Sequence, residues 1–292
     1  MKRCLACEGT FDRDDWRCGR CGWRPAESDG FVAFAPDLAQ SNDGFSADYF
    51  DQLRAVEARH FWFRARNRLL SWTFDSYFPG ARSFLEIGCG TGFVLAGMRD
   101  RFPDVRLTGS EIFTGGLRIA QQRVPGVTLL QMDARKLPFD AEFDVIGAFD
   151  VLEHVDDDQR VLGEMFRSCR PGGGVMLTVP QHQFLWSRMD DYAHHKRRYG
   201  RRDLVDKVER AGFQTIRVTS FVSALLPLML ISRWQRNRAT ADFDPLSEFR
   251  IGPLLNGTLE GILAAERLLI TAGVSFPAGG SLLLAARKKE AP

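Results

Sequence analysis

From residue 82 to about 182 the chain alternates short apolar runs with longer stretches whose apolar residues recur every three or four positions. The runs are Ser83 to Ile87, Val105 to Gly109, Val127 to Met132, Phe143 to Phe149 and Val175 to Val179. Their alternation with helical stretches predicts parallel strands joined by right-handed crossovers, hence an α/β fold with a doubly wound sheet. Upstream, Phe45, Tyr49, Phe50, Leu53, Val56, Phe61, Trp62, Leu69, Leu70 and Trp72 follow mixed three- and four-residue spacings, a helical and aromatic segment closed by Pro79-Gly80. Downstream come a helix near 201–211 with Gly212 suited to its end, a strand from Phe213 to about Phe221, an apolar insertion, and a last strand near Ser281 to Ala286.

Residues 1 to about 30 break this pattern, being Cys-rich and too short for an apolar core of their own. Cys4-x-x-Cys7 and Cys18-x-x-Cys21 are separated by ten residues, and Gly19 and Gly22 supply the backbone freedom that a ligand knuckle needs. Four thiolates so arranged suit one tetrahedral, structural zinc ion with no position left open for catalysis. Cys89 and Cys169 fall outside the pattern and read as buried core thiols. The organisation expected is a zinc ribbon over 1–30, a linker and helical lid over 31–80, and an α/β domain over 81–292 with an apolar helical insertion at about 222–275.

Hydrophobic residues at 45% and charged residues at 26% exclude wholesale disorder and collagen-like repetition. The 39 Lys and Arg against 37 Asp and Glu leave a net charge of +2, so no global field draws the chain to nucleic acid or anionic lipid. Residues 1–30 carry six basic and six acidic groups, a poor electrostatic footprint for RNA. The opening residues lack the apolar stretch of a secretory signal and no apolar run approaches ~20 residues, so a cytoplasmic location is expected.

The sharpest motif is Phe84-Leu85-Glu86-Ile87-Gly88-Cys89-Gly90-Thr91-Gly92-Phe93, a strand running into a glycine-rich turn and then a helix. Such a turn lets a ligand touch backbone amides at a helix start. Phe93 stands where a dinucleotide fingerprint needs Gly or Ala, and the turn lacks a Gly-Lys-Ser/Thr, so neither NAD nor ATP is favoured. The Glu86-x-Gly88-x-Gly90-x-Gly92 pattern resembles the first motif of class I S-adenosylmethionine-dependent methyltransferases, and the order of the downstream motifs is similar to that family over about residues 80–220.

The resemblance implies a Rossmann-like, seven-stranded methyltransferase sheet with S-adenosylmethionine as cofactor. It places Glu86, Gly88, Cys89, Gly90 and Gly92 at the cofactor, with Glu111 and Ile112 ending the second strand and Glu111 accepting both ribose hydroxyls. Asp133 and Ala134 match the adenine-contacting pair, Asp133 accepting from the exocyclic amine. Phe149 and Asp150 open Phe149-Asp150-Val151-Leu152-Glu153-His154-Val155, similar to the post-strand motif whose backbone meets the methionine part. Pro171-Gly172-Gly173-Gly174 resembles the turn before strand five.

Methyl transfer from a sulfonium needs alignment and, for a hydroxyl acceptor, removal of a proton. Of five histidines, His154 lies nearest the carboxyl end of strand four, where an open α/β sheet binds ligands. It is the first candidate for base or orienting partner, with His195 the second, in the basic run Tyr192-Ala193-His194-His195-Lys196-Arg197-Arg198-Tyr199. That run admits an acidic or phosphorylated substrate or a solvated face, and His60 to Arg66 admits helix packing or a lid over the cofactor. Phe221 to Ile231 and Leu254 to Ile270 read as a helical cap over the site, or as a greasy pocket or peripheral membrane contact aided by Arg233, Arg236 and Arg238.

The function expected is methylation of a small or lipid-like acceptor, at oxygen. A zinc ribbon before a class I core also resembles a family of bacterial ribosomal-RNA guanine methyltransferases, so RNA base N-methylation is the alternative, with nucleic acid the less favoured partner. A non-catalytic, zinc-stabilised binding module is the third reading. Oligomeric state has no signature in the sequence.

Overall fold

The computed structural model describes residues 1–39, 47–238 and 249–290, apart from the side chains of 47–49 and 234–238. Phe45 and the side chains of Tyr49, Arg236 and Arg238 therefore lie outside the described residues. Strands β1 (Lys2–Arg3) and β2 (Thr10–Phe11) pair antiparallel around the first cysteine pair, and β3 (Ala26–Ser28) and β4 (Phe31–Ala33) form a hairpin. Helices α1 (Ala47–Glu57) and α2 (Phe61–Tyr77) come next, divided at His60, whose ring accepts the Trp62 N–H and so caps α2.

The main body runs β5 (Ser83–Ile87), α3 (Phe93–Arg101), β6 (Arg106–Glu111), α4 (Thr114–Arg123), β7 (Thr128–Gln131), β8 (Phe143–Phe149), α5 (Asp158–Ser168) and β9 (Cys169–Pro180). It continues through α6 (Arg188–Tyr192), α7 (Arg201–Arg210), β10 (Gln214–Phe221), α8 (Leu226–Arg238), α9 (Pro253–Thr271) and β11 (Ser281–Arg287). Along the sheet the order is β10, β11, β9, β8, β5, β6, β7, β4, β3. Neighbours from β9 to β4 are parallel, whereas β11 is antiparallel to both β9 and β10. Successive side chains on a strand feed opposite layers: Phe84 packs on one face and Leu85 and Ile87 on the other, as do Val145 against Ile146 and Leu283 against Leu284. Burial on both faces explains why these strands read as unbroken apolar runs.

One expectation needs correction. The sheet has nine strands among the described residues, because the β3–β4 hairpin joins the seven expected by pairing β4 in parallel with β7. Gln131 fixes that edge, accepting the Ala35 N–H and donating to the Ala35 and Ile112 carbonyls. The hairpin turns between Ser28 and Phe31. Strand β9 begins at Cys169, ahead of the glycine turn, with a bulge between its pairings at Cys169 and Gly174.

The cysteine-bearing segment docks beyond β7. The Arg3 N–H donates to the Pro138 carbonyl, and Trp16 packs edge-on to Phe34 at 4.7 Å and Phe139 at 5.8 Å between centroids. Among the described residues no helix is long and apolar enough to cross a membrane.

Candidate active site

The chain runs from β5 outward through β6 and β7, then crosses back to β8 on the other side of β5. In an open α/β sheet the crevice at such a reversal, over the carboxyl ends of the strands, is where ligands bind. A cavity of about 1050 Å³ opens there. That is the upper end of the ~300–1,000 Å³ range of ligand pockets, with room for more than one molecule.

The glycine loop forms its floor. Gly88, Gly90 and Gly92 all have positive φ, at 67°, 50° and 75°. A Cβ on Gly88 would lie 2.5 Å from Val151 Cγ2, so the loop can lie against the turn after β8 only if that residue is glycine. Glu111 is 8% exposed; its Oε2 accepts the Gly90 N–H at 3.0 Å, and its Oε1 the Ile112 and Phe113 N–H groups at 2.8 and 3.3 Å. Burial raises its pKa, and these three donors oppose the rise. Glu86 is buried beneath the loop, and burial, against the nearby Arg66 charge, pushes its carboxyl well above the ordinary range. Burial likewise raises the Cys89 thiol, which is therefore a core thiol rather than a nucleophile.

Asp133 and Ala134 line the cavity beyond β7. Asp133 is more heavily committed than expected: Arg135 grips both carboxylate oxygens at 2.8–3.0 Å and adds its own backbone N–H. Phe149 ends β8, and Asp150 comes next in a left-handed conformation, φ 58°, paired with Arg66 of α2. Arg66 also lies over the Trp62 ring at 4.5 Å, so the first turns of α2 face the cleft.

His154 closes a single 3-10 turn, Leu152–His154, and stands edge-on to His195 with ring centroids 4.7 Å apart. Burial first, and the His195 ring next, lower its pKa to about 3, so the imidazole is neutral near pH 7. His195 Nδ1 is 2.8 Å from Asp190 Oδ1, and the Lys196 N–H donates to the Glu153 carbonyl at 2.7 Å, pinning this segment to the turn. Asp190 also receives Arg198, and its Oδ2 caps α6 through Ser187. Burial would raise Asp190, but hydrogen bonds from His195 and Arg198 outweigh it and hold the carboxylate well below its ordinary range.

The basic run is thus not a free cationic strip. Arg197 pairs with Asp158 at 2.8 Å and Arg198 with Asp190, both bonds within the fold. Arg233 is likewise turned toward Asp190, 3.6 Å away with its side chain 15% exposed. Leu225, Leu228 and Met229 with Leu255 and Leu259 add an apolar part to the cavity lining.

Sequence reading missed Glu57, Arg123, Glu153 and Asp190. The Thr91 hydroxyl donates to the Glu57 carboxylate, which also receives Arg123 at 2.7 Å, so α1 is tied to the glycine loop. The Ser187-x-x-Asp190 spacing of a helix start was the one signal available for Asp190.

Away from the cleft, the Sγ atoms of Cys4, Cys7, Cys18 and Cys21 lie within 4.8 Å of one another, with Cys4–Cys21 and Cys7–Cys18 both at 3.6 Å. The cysteine cluster and the histidine end of the cleft are separate features of the molecule.

A family model described as a methyltransferase domain matches residues 54–218, more than half of the chain. The chain is 32% identical over 102 residues to trans-aconitate 2-methyltransferase of Azoarcus sp., covering 35% of this chain and 40% of that one. It is 38% identical over 100 residues to phosphatidylethanolamine N-methyltransferase of Cereibacter sphaeroides, covering 32% and 48% respectively. It thus spans less than half the length of either relative. Among solved structures, phosphoethanolamine N-methyltransferase 2 of Haemonchus contortus, in complex with S-adenosyl-L-methionine, shares the fold with a TM-score of 0.58 at 17% identity, over 87% of this chain and 60% of that one. With the glycine loop, the sheet reversal and the family match in agreement, the chain belongs to the S-adenosylmethionine-dependent methyltransferases.

Proposed function

We propose that the enzyme methylates an oxygen of a small or lipid-like acceptor. The observation that carries this reading is the make-up of one cavity lining, which joins the glycine loop and Glu111, apolar residues of α8 and α9, and His154 and His195. Glu86, Gly88, Cys89, Gly90, Gly92, Glu111, Ile112, Asp133, Ala134, Phe149 and Asp150 would form the cofactor side, as their places on the loop and strand ends suit. His154 and His195 would hold the acceptor hydroxyl in line with the sulfonium methyl, where alignment accounts for much of the rate. His60 to Arg66 would serve as the lid, since α2 already lines the cleft.

Leu228 at 50%, Ile231 at 55% and Leu254 at 88% exposure leave an apolar rim beside the pocket, which suits a greasy acceptor or one taken from a membrane surface. The four cysteines would hold one structural zinc ion. Tetrahedral Zn–S bonds of about 2.3 Å put sulfurs about 3.8 Å apart, close to the 3.6 Å seen for two of the pairs. In this reading the ribbon and its hairpin, the lid, and the catalytic domain with its apolar insertion are the working parts of the chain.

The test is turnover, read as S-adenosylhomocysteine release, across hydroxylated small molecules, lipids in vesicles, and ribosomal RNA. The reading expects a hydroxylated or lipid acceptor to be preferred. Turnover of RNA alone would replace it with base methylation.

A further inference from the structure

Glu153 is fully buried, and among the described residues neither of its carboxylate oxygens has a hydrogen-bond partner. Leaving a buried carboxylate without donors is costly, and native structures rarely tolerate it without a ligand, water or ion to complete the site. Its neighbours are ligand types. One atom from each of Glu153, His154 and His195 falls within 4.8 Å of the other two.

We propose that Glu153, His154 and His195 bind a divalent cation at the acceptor end of the cleft. His195 Nδ1 is committed to Asp190, which leaves Nε2 to coordinate, the carboxylate–histidine–metal arrangement that fixes tautomer and ring orientation in metal sites. Two imidazoles and one carboxylate suit Mn, Fe or Zn in the divalent state, with open positions for substrate. Ligand bonds of about 2.1 Å put neighbouring ligand atoms about 3.0–3.4 Å apart, so side-chain rotation has to draw together atoms that now lie within 4.8 Å of one another, by up to about 1.5 Å. Of the neighbouring cations, Arg66 is paired with Asp150 and Arg198 with Asp190.

The ion's place in catalysis rests on the O-methylation reading. A coordinated hydroxyl is more acidic, and its proton leaves to solvent. The oxygen lone pair then forms the O–CH3 bond as the C–S bond breaks, its electron pair remaining on sulfur to give S-adenosylhomocysteine.

Binding itself is tested without turnover, by titrating the full chain with Mn2+ and monitoring the free-ion signal by electron paramagnetic resonance, alongside elemental analysis for metal already present. Total metal in the wild type should exceed that in His195→Ala or Glu153→Gln by about one equivalent. Asp190→Asn should weaken Mn2+ affinity about 10–100-fold, the usual cost of losing the group that orients a ligand. S-adenosylmethionine binding shows that each variant is folded; should Glu153→Gln fail that check, His195→Gln takes its place. Equal metal in the wild type and the folded variants overturns the site. Methylation at nitrogen would overturn only the O-methylation reading and leave the metal result standing.

Discussion

Glu111, at the end of β6, accepts the Gly90 N–H at 3.0 Å, so one carboxylate fixes the far side of the glycine loop while facing the cavity. Glu111→Ala removes that support together with the proposed ribose contact. Hydrogen bonds to a charged group contribute about 1.5–3 kcal/mol, and about 1.4 kcal/mol is tenfold in affinity. S-adenosylmethionine should therefore bind about 10–100-fold more weakly to the variant by calorimetry. An unchanged dissociation constant would remove Glu111 from the cofactor site.

The cysteine cluster should hold about one equivalent of zinc in purified protein, measured by elemental analysis. A Cys4→Ser/Cys18→Ser double variant should lose it and melt at lower temperature, because β1 and Trp16 dock the same segment on Pro138, Phe34 and Phe139. Zinc content equal to wild type in the double variant would contradict the assignment.

His154→Ala should lower kcat by about 10²-fold, the cost of letting a positioned acceptor shift by about an ångström. S-adenosylmethionine affinity should stay within about threefold of wild type, since the proposed role lies on the acceptor side. A loss in kcat below about threefold would remove His154 from the positioning of the acceptor.

Asp158, which bonds Arg197 and Tyr199 of the run that carries His195, supplies a stability test. Burial would raise its pKa, but Lys207, Tyr199 and Arg197 all bond it, and their contacts hold it below the ordinary 3.8. A folded value below the unfolded one means stability present above about pH 3.8 and lost as pH falls through the folded value. Asp158→Asn should therefore melt below wild type at about pH 7, with the gap narrowing toward about pH 3. An equal gap at both would show that the Asp158 charge is not responsible.

The sequence made legible what is local. The glycine loop could be read because positive φ at Gly88, Gly90 and Gly92 demands glycine, and the central strands because burial on both faces leaves them apolar throughout. The β3–β4 hairpin escaped notice because three-residue strands carry no periodicity, and only its pairing with β7 makes it part of the sheet. In the cleft, His154 and His195 could be named, but not that their rings meet. Nor could the roles of Asp190, Arg198 and Arg233 be seen, since a charged residue in sequence does not disclose its partner. Tertiary pairing turned a basic run into internal bonds and left Glu153 buried without them among the described residues.

The proposed reaction transfers the methyl group to an oxygen of a molecule held in the cavity that His154 and His195 line. The direct measurement uses S-adenosylmethionine labelled with a trideuteromethyl group, any acceptor found to turn over, and fragmentation mass spectrometry to locate the label. The expected result is the label on a hydroxyl oxygen of a small or lipid-like product, formed by wild type and strongly reduced in His154→Ala. Label on a ring nitrogen of RNA, formed at equal rates by both proteins, would contradict it.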